Sequence, residues 1–365
     1  MPENFEMHRQ WSTRPSDERY STLSEMYSYL AEETAQCGSA VVATNELQVV
    51  AGEHGGLALT GPKGNPALLS SWSMMQISAI ARAPATYLKS LPAQIAADAL
   101  NHGLSVQARD SHQLYLRHRP ANGAPASLQV RAITSPGYTR IHTAAIVRKL
   151  MQLQAEHPSW TAPQVYDRGD FGSGRTPCVG YAGDRDAYVC LQNENVAIAD
   201  PAAPGEQLTR GILLVNSEVG AKRLDLTLFL CERICGNFII WGQRTLHTFS
   251  ARHFGERIKR EWQRGIGSVF TDYAQLSSRE ESDKLQAAHI KQLGPKKEDV
   301  IDLLFKRDVA TKQQLTDAYD LAERFGRDPR TAWGAVHGLS RLSQMSPYAD
   351  ERIDLDRAAG KVLDF

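Results

Sequence analysis

Two segments of the chain gather the side chains with the greatest capacity for chemistry. The first runs through Arg131, Ser135, Tyr138 and Arg140, and the second holds Asn216, Ser217, Glu218, Arg223, Glu232, Arg233 and Asn237. Arginine grips phosphate or carboxylate through two parallel N–H bonds, and a carboxylate set among arginines can act as a general acid or base. If the segments face each other across a sheet, Glu218 is the candidate catalytic acid/base and Arg223 and Arg233 are candidate phosphate clamps. The same residues equally suit a buried network of ion pairs and turn caps that fixes the fold. Ser217 does not sit in Gly-x-Ser-x-Gly and has no indicated partner histidine, so a Ser-His-Asp triad has no support.

A second candidate lies further along. From Gln243 to Ala274 the chain turns basic and aromatic, with Arg244, His247, Arg252, His253, Arg257, Lys259, Arg260, Trp262 and Arg264. At helical spacing Arg252, Lys259 and Arg260 could share a face. Such a stripe binds nucleic acid by neutralising phosphates and releasing counterions; the alternative is a solvated helix face offset by Glu256 and Glu261. Together with Arg131, Arg140, Arg223 and Arg233, the residues Arg252, Arg257, Lys259 and Arg260 form the expected phosphate-binding set. Trp241, Trp262 and Trp333 suit either base stacking or the core. His102, His118, His142, His247 and His253 are dispersed. Cys231 and Cys235 lack a second pair at zinc-like spacing. No metal or cofactor is therefore expected.

The elements around these residues follow from pattern. Ile212 to Val215 is continuously apolar and reads as a strand buried on both faces. Asn216 to Gly220 reads as a turn. The run from Leu226 to Cys235 looks helical and carries Glu232 and Arg233 as far as a stop at Gly236-Asn237. This arrangement predicts Glu218 in a turn leaving a central strand, within ion-pair reach of Arg223 or Arg233, with Glu232 competing for them. Upstream, Tyr20, Leu23, Met26, Tyr27 and Leu30 fall on one helical face. Ala40 to Val50 reads as one strand with a turn at Asn45, and the glycines between Glu53 and Pro66 mark a plain loop. Ser71 to Ile80 is a helix broken by Ala83-Pro84, and another runs from near Pro92 to His102-Gly103. Leu114 to His118 and Leu128 to Ile133 alternate as paired strands. Thr143 is placed as the cap of a helix running to Leu153. The glycine-rich stretch from Tyr166 to Gly183 is a lid or an ordinary loop, and Tyr188 to Ile198 is strand, turn, strand. Beyond residue 276 the chain reads as helical, broken at Gly294-Pro295, capped again near Thr311, and ending in helices over Ala332–Ser343 and Asp350–Phe365.

The expected architecture is α+β: a central, mostly antiparallel sheet with flanking helices and a helical C-terminal third. Residues 1–70 join the body, 71–275 form the α+β core, and 276–365 pack on it. With 365 residues, 42% of them hydrophobic, the chain can bury a sizeable core. Its 41 basic and 41 acidic residues cancel, which excludes a strongly basic, histone-like binder but not a local basic face. No run reaches the roughly 20 apolar residues of a membrane span, and the polar N-terminus has no signal-peptide core. Five scattered cysteines, an odd number, point to reduced thiols in a cytoplasm-like compartment.

Several stretches occur in series: QISAIARAPATYLKSLP, VRAITSPGYTRIHTAAIVRKL, LLVNSEVGAKRLDLTLFLCERICGNFIIWG, RHFGERI, and TAWGAVHGLSRLSQ with DERIDLDRAAGKVL. From roughly Ser71 to the C-terminus the chain resembles the phage- and plasmid-encoded family catalogued as domain of unknown function 932. That family usually shows Cys-Ser-Asn-Gly where this chain has Cys235-Gly236-Asn237, and Asn-Ala or Asn-Gly where it has His337-Gly338, so neither Asn237 nor His337 inherits a role. The resemblance implies a bacterial mobile-element protein, intracellular and soluble, with no established activity. The leading expectation is a nucleic-acid-binding protein, engaging single-stranded DNA in replication, transfer or recombination as a homo-oligomer in the bacterial cytoplasm, without a membrane. The alternatives are a phosphodiester- or nucleotide-directed enzyme using Glu218, and an interaction protein that blocks a host defence factor.

Overall fold

The computed structural model describes residues 19–365 except 53–55, 61–65, 107–110, 120–126, 167–174, 200–206, 233–237, 240–248, 276–278 and 347–348. In chain order, strand β1 (Arg19–Tyr20) and helix α1 (Leu23–Ala35) precede strands β2 (Cys37–Ala43), β3 (Gln48–Ala51), β4 (Leu57–Thr60) and β5 (Ala67–Leu69). Helices α2 (Ser71–Ile80), α3 (Ala85–Leu88) and α4 (Ala93–Ser105) lead to strands β6 (Ser111–Arg119) and β7 (Ser127–Thr134), then helix α5 (Thr143–Glu156). Short strands β8 (Trp160–Thr161), β9 (Gln164–Tyr166), β10 (Arg175–Pro177) and β11 (Gly180–Ala182) precede the long strands β12 (Ala187–Ala199), β13 (Gln207–Asn216) and β14 (Leu224–Glu232). Strands β15 (Phe238–Ile239) and β16 (Phe249–Ala251) follow. The chain ends in helices α6 (Arg257–Gln275), α7 (Arg279–Ile290), α8 (Lys297–Lys306), α9 (Lys312–Arg324), α10 (Ala332–Met345) and α11 (Ala349–Val362).

The fold is α+β, with antiparallel sheet flanked by helices and a helical C-terminal part. Its main strands divide between two sheets. The first has the order β2-β6-β7-β5-β4-β3, antiparallel except for the parallel pair β5–β7. One of its faces packs Leu114, Val130 and Ile133 against Ile77, Ala97 and Leu100 of α2 and α4. The stretch Ala40 to Val50, read as one strand, is two. Its halves lie at opposite edges of this sheet, parted by a 3-10 turn over Thr44–Glu46.

The second sheet runs β1-β11-β12-β13-β14-β15, with β8 added on β12 and β16 on β14. Helices α1, α5 and α6 cover one face, where Met26, Ile146, Leu150, Trp262 and Phe270 meet Leu191, Ile212, Leu214, Leu226 and Leu228. The opposite face buries Tyr188, Cys190, Leu213 and Phe229. Strand β13 is thus buried on both sides, as its apolar run implied. So is β14 over Leu226 to Leu230, and this corrects the helical reading of Leu226 to Cys235: the polar alternation begun by Asp225 and Thr227 stops at Phe229, which is buried on the opposite face, so the run looks uniformly apolar from there. Tyr188 to Ile198 likewise lies within one long strand, its interruption being a bulge between Asn193 and Ala197.

The C-terminal helices build their own core around Trp333, Val336 and Leu339 and seat it on Ile198, Leu208 and Leu230 at one end of this sheet. Thr311 caps α9, as its sequence suggested, and the structure completes the cap into a full capping box with Gln314. Among the described residues, no helix is long and apolar enough to cross a membrane.

Candidate functional site

The two sheets meet at the turn between β13 and β14. Gly220 takes φ +85° there, a left-handed conformation that glycine adopts without strain. Ser217 ties the turn, its Oγ accepting from Val219 N at 3.3 Å and Ala221 N at 3.0 Å while donating to Arg185 O at 2.7 Å. Helix α2 grips the same turn from the other sheet: Trp72 Nε1 and Gln76 Nε2 both donate to Val219 O at 2.8 Å. Val219 packs with Tyr115 and Ala132 on the face of the first sheet away from α2 and α4.

Glu218 is thereby delivered into the interface between the sheets, 8% exposed. Its Oε1 accepts from Thr143 N at 2.8 Å. Its Oε2 takes Tyr115 OH at 2.8 Å, lies 3.3 Å from His142 Nδ1 and 3.8 Å from Arg131 Nη1. His142 is the N-cap residue of α5 and gives no side-chain cap, so a carboxylate from another strand caps the helix. Thr143, expected as the cap, is instead the first helical residue whose N–H is capped. Burial alone would raise the Glu218 carboxyl, but the His142 hydrogen bond, the Arg131 charge and the Thr143 N–H outweigh it and hold it down to about 2. Burial and the Glu218 charge push the Tyr115 phenol far up, so it stays protonated and donates.

Around this carboxylate, Arg140 donates from Nε to Glu218 O at 2.8 Å and from Nη1 to Ser39 Oγ at 2.9 Å and Gln113 Oε1 at 3.2 Å. Its guanidinium lies 3.8 Å from the centre of the Tyr115 ring. Tyr138 OH donates to Ser217 O at 2.9 Å, and Asn216 Nδ2 donates to Ile141 O and Thr143 Oγ1, each at 3.0 Å. The two segments singled out from sequence therefore do face each other, through Arg131, Tyr138, Arg140, Asn216, Ser217 and Glu218. Ser135 accepts through its carbonyl from Tyr138 N at 3.0 Å, and among the described residues its hydroxyl takes no part in the network.

The expected partners of Glu218 need correction. Arg223 is exposed and donates to Ser250 Oγ at 3.4 Å, not to Glu218. Glu232 cannot compete, because β14 is a strand: eight residues of extended chain carry position 232 about 27 Å from Leu224. Arg233 and Asn237 lie outside the described residues, as do Trp241, Arg244 and His247. The arginine beside Glu218 is Arg131, placed by a bulge. Tyr115 pairs with Ala132 and Leu116 with Val130, leaving Arg131 as the extra residue.

Beside Glu218 a cleft of about 200 Å³ opens between the C-terminal end of α1, strands β6 and β7, and the β11–β12 turn. Arg117, Arg131 and Arg185 line it against Glu33, Asp184, Asp186 and Glu218. Arg117 bridges Glu33 at 2.5 Å and Asp184 at 3.0 Å. Sequence reading missed Tyr115, Arg117, His142 and Asp184. The signal for two of them was the alternation Leu114-Tyr115-Leu116-Arg117, which sends Tyr115 and Arg117 to the face away from the helices.

The basic stretch resolves into a loop and α6. Trp262 is core, as is Trp333 in the C-terminal bundle. Lys259 pairs with Glu256 at 2.7 Å, and Arg257 pairs with Glu261. Lys259 and Arg260 are adjacent and do not share a face; Arg257, Arg260 and Arg264 do. Arg252, Arg260 and Arg264 are exposed and have no acidic partner among the described residues. Phe254, just before α6, is 71% exposed. Its segment is pinned by Thr139 N to His253 O at 3.0 Å and Thr139 Oγ1 to Gly255 O at 3.0 Å, and its ring lies against Gly137. Among the described residues, no group of three or more His, Cys, Asp or Glu side chains is placed to hold a metal ion. Comparison with family models, with curated proteins and with solved structures finds no match to this chain.

Proposed function

We propose that the protein binds single-stranded nucleic acid across the outer face of α6 and the loop before it. The observation that carries this reading is an exposed aromatic residue close in the chain to exposed arginines with no acidic partner among the described residues: Phe254 is 71% exposed, Arg252 lies two positions before it, and Arg260 and Arg264 share a face of the helix that follows. A chain of zero net charge gains nothing from bulk electrostatics, so the local set must do the work. Unpaired arginines neutralise phosphates, and an exposed, backbone-pinned ring offers a platform for a base that a duplex would keep stacked. The phage and plasmid resemblance gives this binding a setting in replication, transfer or recombination of a mobile element. A homo-oligomer that repeats the α6 face would strengthen it through avidity.

The reading in which Glu218 acts as acid or base has less support. Both of its oxygens are engaged by protein donors, and a carboxyl held at about 2 is a weak base. The test is a titration of single- and double-stranded DNA over a range of salt. Single strands should bind more tightly, with affinity falling as salt rises, and Phe254→Ala should cost roughly 1–3 kcal/mol of that binding. Absence of binding at low salt, or binding indifferent to salt, would overturn the proposal.

A further inference from the structure

The cleft beside Glu218 contains a cation that the protein leaves under-satisfied. The Arg131 side chain is only 10% exposed, and its guanidinium has five N–H groups to place. Nη2 donates to Asp184 O at 3.2 Å. Nη1 donates one weak bond to Cys37 Sγ at 3.7 Å and lies 3.8 Å from the Glu218 carboxylate, an ion pair without a hydrogen bond, and the buried Nε has no partner among the described residues. Facing it is Asp184, whose side chain is 49% exposed; one of its oxygens takes Arg117, and the other has no partner among the described residues. Three arginines against four carboxylates leave the lining one charge negative, which opposes a phosphate dianion. A neutral molecule offering acceptors to Arg131 and donors to Asp184 meets no such opposition. Tyr29, 42% exposed, adds an aromatic ring to the lining.

We infer that this cleft receives a single nucleobase, with guanine the best match. Guanine presents O6 and N7 as a paired acceptor to an arginine, and its N1–H and N2 amino group donate together to a carboxylate. The site's chemistry stands by itself; that the base arrives on a strand rests on the nucleic-acid reading above. The fold brings the two places to one end of the second sheet. Ala187, which lines the cleft, is in register with Asn216, and Leu224 after the turn is in register with Ala251, which leads to Phe254. From β12 to β16 is three inter-strand steps, about 14 Å. A strand stacked on Phe254 can therefore turn one unstacked base into the cleft.

The experiment titrates the protein with guanosine, adenosine, cytidine and thymidine, and with oligothymidylate with and without one central guanine. Guanosine should bind at least about tenfold more tightly than the other nucleosides, and the central guanine should tighten the oligonucleotide by a similar factor. Arg131→Met should erase the preference. Because that residue is buried, Asp184→Asn, on an exposed turn, provides the second variant. It should weaken guanosine about tenfold while still unfolding cooperatively, because Arg117 keeps Glu33 as its partner. Equal binding of all four nucleosides, or a guanine preference that survives Asp184→Asn, would overturn the inference. Oligothymidylate binding without any guanine preference would sink the cleft and leave the α6 reading standing. Guanosine binding without oligonucleotide binding would do the reverse.

Discussion

Glu218 is an anion that the fold is built to hold. It is reached by a helix N-terminus, a tyrosine, a histidine and an arginine, from α5, β6 and β7. Its carboxyl is depressed from 4.5 to about 2, so folding favours the ionised form. The resulting stabilisation, on the order of 3 kcal/mol, is complete above pH 4.5 and is lost as pH falls toward 2. Glu218→Gln keeps the shape but removes the charge. Urea denaturation should find the variant less stable by about that amount at neutral pH. The gap between the two proteins should narrow steadily through the acid range. A gap independent of pH would mean that the charge is not what stabilises. A variant of unchanged stability would return Glu218 to the list of catalytic candidates.

At the scale of elements, the counterpart to Glu218 is the pair that sews α6 and α7 onto β13. Arg210 and Glu281 are both fully buried, joined by Nε to Oε1 at 2.9 Å and Nη2 to Oε2 at 2.5 Å, and Arg210 Nη1 also donates to Tyr273 O at 2.9 Å. Two ions are costly to bury, and a well-packed apolar pair can match them; one ion without the other is far worse. Glu281→Ala should therefore cost about 3–5 kcal/mol in chemical denaturation, and Arg210→Met with Glu281→Leu should recover most of it. A double variant as unstable as the single would show that the pair contributes more than mutual compensation.

For the whole molecule, the decisive fact is that one turn of the second sheet is clasped by the first. That clasp lines up α1, the Glu218 turn and the start of α6 along one end of the second sheet. Zero net charge makes any affinity for a polyanion depend on what is exposed along that end. Replacing Arg260 and Arg264 together by Ala should lower the slope of log affinity against log salt by about 1.4 on a single strand, near 0.7 for each lost phosphate contact. An unchanged slope in fluorescence anisotropy titrations would place the contacts elsewhere.

The sequence by itself determined the elements whose signals are local. The helix at Ser71–Ile80, the alternation of Leu114 to His118 against Leu128 to Ile133, the cap at Thr311 and the doubly buried run Ile212 to Val215 all appear as read. It also paired the correct two polar segments, because Arg131, Tyr138 and Arg140 complement Asn216, Ser217 and Glu218 in chemistry. Only the tertiary structure decided who touches whom. Arg223 was near Glu218 in sequence, but the strand it precedes carries the chain away. Arg131, 87 positions from Glu218 in the chain, arrives through a bulge. The alternation around Tyr115 gave its face but not its partner, and His142 gave no signal, since a strand residue and a lone histidine acquire their roles only from the carboxylate brought to them. In β14 the alternation of Leu224, Asp225, Leu226, Thr227 and Leu228 stops at the buried Phe229, which left the run beyond it without the period that distinguishes strand from helix. The network around Glu218 is non-local, and its partners are set by how the two sheets dock, which no spacing along the chain records.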